Sequence, residues 1–255
     1  MTDLSAFSLT GKRILVTGAN TGIGQGIAVA VARAGGSVVG VGRSAMEETA
    51  QRIAAAGGGF EEVAADLGDP EAAAAMLERV WDESGPLDGL VNNAGIIRRA
   101  DAVELTEADW DEVMDVNLKT VFRLCQAFAR RVLAGPGRRG KIVNIASVLS
   151  FQGGIRVASY TASKHGLLGL TRLLACEWAA RDINVNGIAP GYIETNNTEA
   201  LRADPDRSAA ILGRIPAGRW GRPEDIGDAA VFLLAPASDY MHGAVVPVDG
   251  GWLAR

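Results

Sequence analysis

Short apolar runs alternate with longer helix-patterned segments along almost the whole chain. The apolar runs fall at residues 12–17, 37–41, 60–64, 88–92, 141–146, 182–188 and 244–248. Each has the length of a strand, and most are unbroken rather than alternating, as in strands buried on both faces. The segments between them read as helices: about 23–34, about 45–56, one opened by Pro70, a long one from about 106 to 133, about 157–180, and a late one opened by Pro223. Gly35 and Gly36 are placed to stop the first as a C-cap does, and Pro70 suits a first helical turn. Thr106 and Asp109 resemble a capped start. Strand and helix alternate without a break, which predicts an α/β chain with a parallel sheet and helices on both faces. Right-handed crossovers make that a doubly wound sheet of about seven strands. No repeat or low-complexity linker divides residues 1–255, which are read as one domain. One stretch departs from the rhythm. Residues 194–217 are polar and irregular, with Asn196, Asn197, Asp204 and Pro205, and long loops on compact domains often cover sites.

Composition narrows the function classes. With 255 residues and 48% hydrophobic content, a large core is expected and disorder is not. The net charge is −5 and no basic run stands out, so no nucleic-acid footprint is supported. No apolar stretch reaches about 18 residues, so no membrane span is expected. The start at Met1 lacks the basic and apolar regions of a signal peptide, which points to the cytoplasm. Cys125 and Cys176 lie in helical segments without CxxC spacing and read as small core residues in a reducing compartment, not as a disulfide. His165 and His242 are far apart without nearby ligand partners, so no metal site is expected.

The candidate chemistry centres on Ser147, Tyr160 and Lys164. Tyr160 and Lys164 are spaced to leave one face of a helix together. A nearby ammonium favours a phenolate, so Lys164 is expected to lower the Tyr160 pKa and fit the phenol for acid/base work on an alcohol or carbonyl. Ser147, at the end of an apolar strand, offers a hydroxyl to hold the reacting oxygen. Gly18, Gly22 and Gly24 follow the first strand and open its helix, where free N–H groups and the helix dipole suit a pyrophosphate. The run NNAG at residues 92–95 ends the fourth strand and faces the same crevice. Asn117 sits inside a helix, where Asn is a poor former; it reads as a core polar contact or as a group that bends the helix and holds a water near Lys164.

In this order, TGANTGIG at 17–24, Asp66-Leu67, NNAG at 92–95, Asn117, Ser147, Tyr160-x-x-x-Lys164 and PGYIET at 190–195 resemble the short-chain dehydrogenase/reductase family over nearly the whole chain. The resemblance implies a Rossmann fold, a nicotinamide cofactor and a catalytic set of Asn117, Ser147, Tyr160 and Lys164. In it Tyr160 is the acid/base, Lys164 binds the nicotinamide ribose and Asn117 holds a relay water. It further implies cofactor contacts from Gly18, Asn20, Thr21, Gly22, Ile23 and Gly24 in the turn. Asp66 would meet the adenine, Asn93 the adjacent ribose, and Ile193 and Thr195 the carboxamide, with Leu67, Ala94, Gly95, Pro190 and Gly191 as further cofactor contacts. A homotetramer is implied too. Further runs, NNAGIIRR at 92–99, SFQGGIR at 150–156, RIPAGRWG at 214–221 and GGWLAR at 250–255, look like the sugar-acid branch of that family, the gluconate 5-dehydrogenase group. The rivals are a 3-oxoacyl-carrier-protein reductase and a non-catalytic nucleotide-binding protein.

Cofactor choice is read at the end of the second strand. NAD sites often place a carboxylate there on the ribose 2′-hydroxyl. Here Gly42, Arg43 and Ser44 stand instead, and NADP is favoured over NAD, with Arg43 and Ser44 on the 2′-phosphate. A sugar-acid carboxylate needs a cation or several donors, because an unpaired buried charge is costly. One of Arg98 and Arg99 is expected to meet it, Arg98 ahead, with Ser147, Gln152 and Arg156 as further donors.

Overall fold

A computed structural model describes residues 4–255. The first residues of the chain, on which the expectation of no signal peptide rests, lie outside the described residues. Seven strands form one sheet: β1 (Arg13–Thr17), β2 (Ser37–Gly42), β3 (Phe60–Ala64), β4 (Gly89–Asn92), β5 (Gly140–Ile145), β6 (Ile183–Pro190) and β7 (Val245–Val248). Their order is β3-β2-β1-β4-β5-β6-β7 and every pairing is parallel. The helices are α1 (Gly22–Arg33), α2 (Glu47–Ala55), α3 (Pro70–Ser84), α4 (Glu107–Met114), α5 (Thr120–Ala134), α6 (Ala158–Trp178), α7 (Glu199–Ala203), α8 (Pro205–Leu212) and α9 (Pro223–Leu234).

The unbroken apolar runs follow from burial on both sides. Successive strand residues point to opposite faces. Leu15, Leu90 and Ile142 pack with Leu77, Phe128 and Leu174 of α3, α5 and α6. Their neighbours Ile14, Val16, Val91 and Val143 pack with Ile27, Ile53 and Leu233 of α1, α2 and α9 on the other face. The chain winds outward from β1 to β3, then restarts at β4 on the other side of β1. That reversal opens a crevice at the carboxyl ends of β1 and β4.

Three sequence expectations are corrected. The helix read from about 106 to 133 is two helices joined by a π-helical turn, Asp115–Lys119, with the wholly buried Asn117 inside it. Such turns interrupt helices where a side chain must be re-aimed. Residues 194–217 are not irregular throughout. Pro205 opens α8, and the Asp204 carboxylate accepts from the Asp206 and Arg207 amides at 3.1 and 3.0 Å. The residues taken for loop breakers are helix-start signals. Cys125 is buried, as expected, but Cys176 is exposed on α6.

Candidate active site

The glycine turn is shaped by backbone geometry. Gly18 and Gly22 have φ of 67° and 57°, a region where a Cβ is strained. A Cβ on Gly24 would stand 2.0 Å from the Gly18 carbonyl oxygen. No side chain caps α1 at Thr21, so the first-turn N–H groups are left for an anion. Thr17 ties this turn to the end of β4. Its Oγ1 accepts from the Asn93 and Ala94 amides, both at 3.0 Å, and Asn93 Nδ2 donates to the Thr17 carbonyl at 2.9 Å. This positioning role of Thr17 is absent from the sequence expectations; a small hydroxyl at the last position of a buried strand is the signal that carries it.

Ser147 ends the β5 segment and α6 presents Tyr160 and Lys164 beside it. The Ser147 hydroxyl accepts from the Leu149 amide at 3.1 Å, lines the same cleft as the Tyr160 phenol and favours its ionised form. Lys164 is buried, donates to the Ile145 carbonyl at 2.6 Å and forms no ion pair among the described residues. Burial pulls its ammonium down to about 8. Its Nζ is 5.6 Å from the Tyr160 ring centre. The expected lowering of the Tyr160 pKa is corrected. Burial raises it, while the Ser147 hydroxyl and the Arg99 charge pull it back only in part. At neutral pH the phenol therefore holds its proton.

Asn117 braces this group. Its Oδ1 accepts from the Ile96 amide at 2.8 Å, and its Nδ2 donates to the Ile96 carbonyl at 2.9 Å and to Ser163 Oγ at 3.3 Å. Both ends of the carboxamide are thus engaged, linking the segment after β4 to α6. The side chain acts as a strut, and a water would have to use the main chain of the π-helical turn.

These elements enclose a cleft of about 600 Å³. All the residues named above for cofactor contacts line it, from the glycine turn through Arg43, Ser44, Asp66 and Leu67 to Thr195, with Ser147, Tyr160 and Lys164 at one end. Asn196, Asn197 and Thr198, from the stretch 194–217 expected to cover a site, also line it, as does Glu112, which was not anticipated. The expected substrate donors fare differently. Arg98 is held by Glu112 at 2.7 Å and Asp109 at 3.5 Å. Arg156 is exposed and paired with Asp101 at 3.1 Å. None of Arg98, Arg99, Gln152 and Arg156 is among the residues that line the cleft. Two carboxylates on α4 thus neutralise Arg98, the residue expected to lead. Arg99 forms no ion pair among the described residues and donates to the Asn197 carbonyl at 3.2 Å at the cleft rim.

The chain's own groups fit a dinucleotide. An uncapped helix start and a glycine cradle suit the pyrophosphate. A buried ammonium with one protein acceptor keeps donors for ribose hydroxyls. Among the described residues no cluster of acidic, His or Cys side chains could hold a metal ion, and no helix is long and apolar enough to cross a membrane.

Comparison with known proteins agrees with this geometry. A family profile described as enoyl-(acyl carrier protein) reductase matches residues 18–253. A 2-dehydro-3-deoxy-D-gluconate 5-dehydrogenase of Dickeya dadantii is 56% identical over 252 residues, 99% of each chain. A crystal structure from Agrobacterium tumefaciens, provisionally assigned as a 2-deoxy-D-gluconate 3-dehydrogenase with bound NADP, is 63% identical with a TM-score of 0.92, covering 98% of this chain and 99% of that one. A gluconate 5-dehydrogenase of Burkholderia cenocepacia in complex with NADP and tartrate is 38% identical with a TM-score of 0.92, covering 99% of each chain.

Proposed function

The chain belongs to the short-chain dehydrogenase/reductase family, and from that premise we propose that it is an NADP-preferring dehydrogenase of sugar acids. It interconverts a hydroxyl and a keto group on the acid. The observation that carries this is the meeting, in one cleft, of the glycine turn with Ser147, Tyr160 and a buried, carboxylate-free Lys164. The bound nicotinamide supplies the hydride acceptor or donor. Ser147 holds the reacting oxygen near Tyr160, Tyr160 gives it a proton in reduction and takes one in oxidation, and Lys164 binds ribose hydroxyls. Asn117 keeps the α4–α5 junction and α6 in register. A screen of sugar acids with NADP and with NAD, read as nicotinamide absorbance, tests the assignment; turnover of neutral alcohols alone would sink it.

The names of the similar proteins and the free Arg99 support the sugar-acid reading. A carrier-protein substrate would need a basic docking surface beside the site. The basic group Arg139 and Lys141 lies at the opening end of β5, away from the cleft, and is already paired with Asp239 at 3.0 and 2.7 Å. Arg99 takes the carboxylate instead, by charge and a planar fork of donors. Arg99→Ala is expected to raise KM for the sugar acid by roughly 10- to 1000-fold, the scale of a lost charged hydrogen bond with its desolvation term. Arg98→Ala should stay within about 3-fold, since a half-exposed ion pair contributes little. Steady-state kinetics on the acid and on its neutral polyol decide the matter: equal losses on both would remove Arg99 from the carboxylate.

NADP is favoured because Gly42 leaves no carboxylate against a 2′-phosphate and Arg43 is exposed beside it without an ion pair among the described residues. Free thiols at Cys125 and Cys176 suit work in the reducing cytoplasm. A homotetramer accounts for a second groove of about 570 Å³, lined by Leu118, Phe122, Leu170 and the half-exposed Leu173 between the π-helical turn, α5 and α6. Leu170→Glu is expected to halve the assembled mass or more in light scattering; an unchanged mass would place the interface elsewhere.

A further inference from the structure

The glycine turn and the end of β2 interlock. Gly42 is the last residue of β2, the place from which an NAD site extends its carboxylate to the ribose. Its φ lies outside the left-handed region, so conformation alone would admit any residue. Contact does not. A Cβ built on Gly42 would lie 1.9 Å from Asn20 Oδ1, with Asn20 Cγ and Nδ2 at 2.7 and 2.8 Å. Asn20 has little freedom to retreat. Its Nδ2 donates to the Ser44 carbonyl and to Ser44 Oγ, the latter at 2.9 Å. Its own carbonyl accepts from Thr49 Oγ1 and Gln25 Nε2, both at 3.3 Å. To make room for a side chain at position 42, the carboxamide must let go of Ser44.

We propose that Asn20 is a specificity-determining residue: its carboxamide fills the space of a position-42 side chain, excludes a carboxylate there, and holds the Arg43–Ser44 edge in place for a 2′-phosphate. This rests on the NADP reading above and deepens it. Cofactor choice is then a property of the pair Asn20 and Gly42, which come from different turns. Introducing an acid at position 42 alone forces its carboxylate away from the ribose and disorders the Ser44 edge. It removes NADP binding without creating NAD binding. Clearing Asn20 first gives the acid its usual position.

The test titrates NADPH and NADH into wild type, Asn20→Ala, Gly42→Asp and the double variant, following the fluorescence of the reduced nicotinamide. Melting curves check the fold. Asn20→Ala is expected to weaken NADPH about 10-fold and NADH less than about 3-fold, on the scale of lost hydrogen bonds at a phosphate edge. Gly42→Asp should lose at least about 10-fold toward both, and the double variant should recover NADH to wild-type affinity or better while NADPH stays weak. If Gly42→Asp alone binds NADH as tightly as wild type, position 42 is open and the proposal falls. It falls equally if the double variant recovers nothing. Should Gly42→Asp not fold, Gly42→Ala replaces it, with loss of both cofactors in the single variant and recovery in Asn20→Ala/Gly42→Ala as the expected pair. Equal affinity of the wild type for the two cofactors would refute the NADP preference, and the recovery comparison would still decide the interlock.

Discussion

Tyr160→Phe is expected to lower turnover at least 100-fold in both directions while cofactor affinity stays within about 3-fold, the size of a lost general acid/base with binding spared. The phenol oxygen faces the Ser147 hydroxyl, whereas the ring is retained in the variant and still fills its half-buried place on α6. The pH dependence carries the same signature. Burial raises the Tyr160 pKa above the ordinary phenol value, so the group stays protonated through the neutral range. Carbonyl reduction, which consumes that proton, should be flat across neutral pH. Alcohol oxidation needs the phenolate and should climb as pH rises. In the Phe variant the climb disappears. Initial rates in both directions between pH 6 and 10 measure it; a Phe variant with wild-type turnover would remove Tyr160 from the chemistry. A rise in cofactor KM near pH 8 is a separate effect, because Lys164 loses its charge at about 8.

Lys164→Met should abolish activity, by 100-fold or more, and yet make the cofactor-free protein melt higher. The sign follows from linkage. The ammonium is lowered from 10.5 to about 8 by burial, so the unfolded chain binds its proton more tightly than the folded one. Below pH 8 the buried charge destabilises the fold by the whole shift, about 3 kcal/mol at 1.36 kcal/mol per pKa unit. As pH rises from 8 to 10.5 that penalty fades and wild-type stability increases. Methionine removes the penalty but leaves the Ile145 carbonyl without its donor, which costs about 1–2 kcal/mol. The net gain at neutral pH is about 1–2 kcal/mol, or roughly 2–8 °C in Tm for a chain of this size. Adding NADP should raise the Tm of wild type and not of the variant. A variant that melts lower and keeps the NADP shift would mean that Lys164 is structural. The fold tolerates this destabilised cation where stability alone would select an apolar residue, which is the expected mark of a functional site.

Local signals account for much of what could be read before the structure. Strand positions fall within one or two residues of expectation because burial on both faces demands unbroken apolar runs of strand length. Gly18 and Gly22 announce a turn because few other residues adopt their φ values. Tyr160 and Lys164 share a face because helical spacing alone puts them there. The misreadings around residues 115–119 and 194–217 share a cause. Pro205 and Asp204 start a helix as readily as they break one, and the π-helical turn is set by Asn117 reaching Ile96, far away in sequence.

The sequence by itself therefore determined the doubly wound sheet, the crevice beside β1 and β4, and the cofactor and catalytic candidates that line it. Tertiary structure alone decided what charge each of them carries and where it is directed. Arg98 and Arg99 are adjacent and chemically identical; only Glu112 and Asp109 on α4 claim one and leave the other free. Lys164 was expected to govern the Tyr160 pKa, but burial raises it, and the opposing charge comes from Arg99. Gly42 reads as open space until Asn20, from another turn, is seen to fill it. Periodicity and turn chemistry act between near neighbours and are written along the chain. Desolvation, ion pairing and steric exclusion act between residues that only folding brings together.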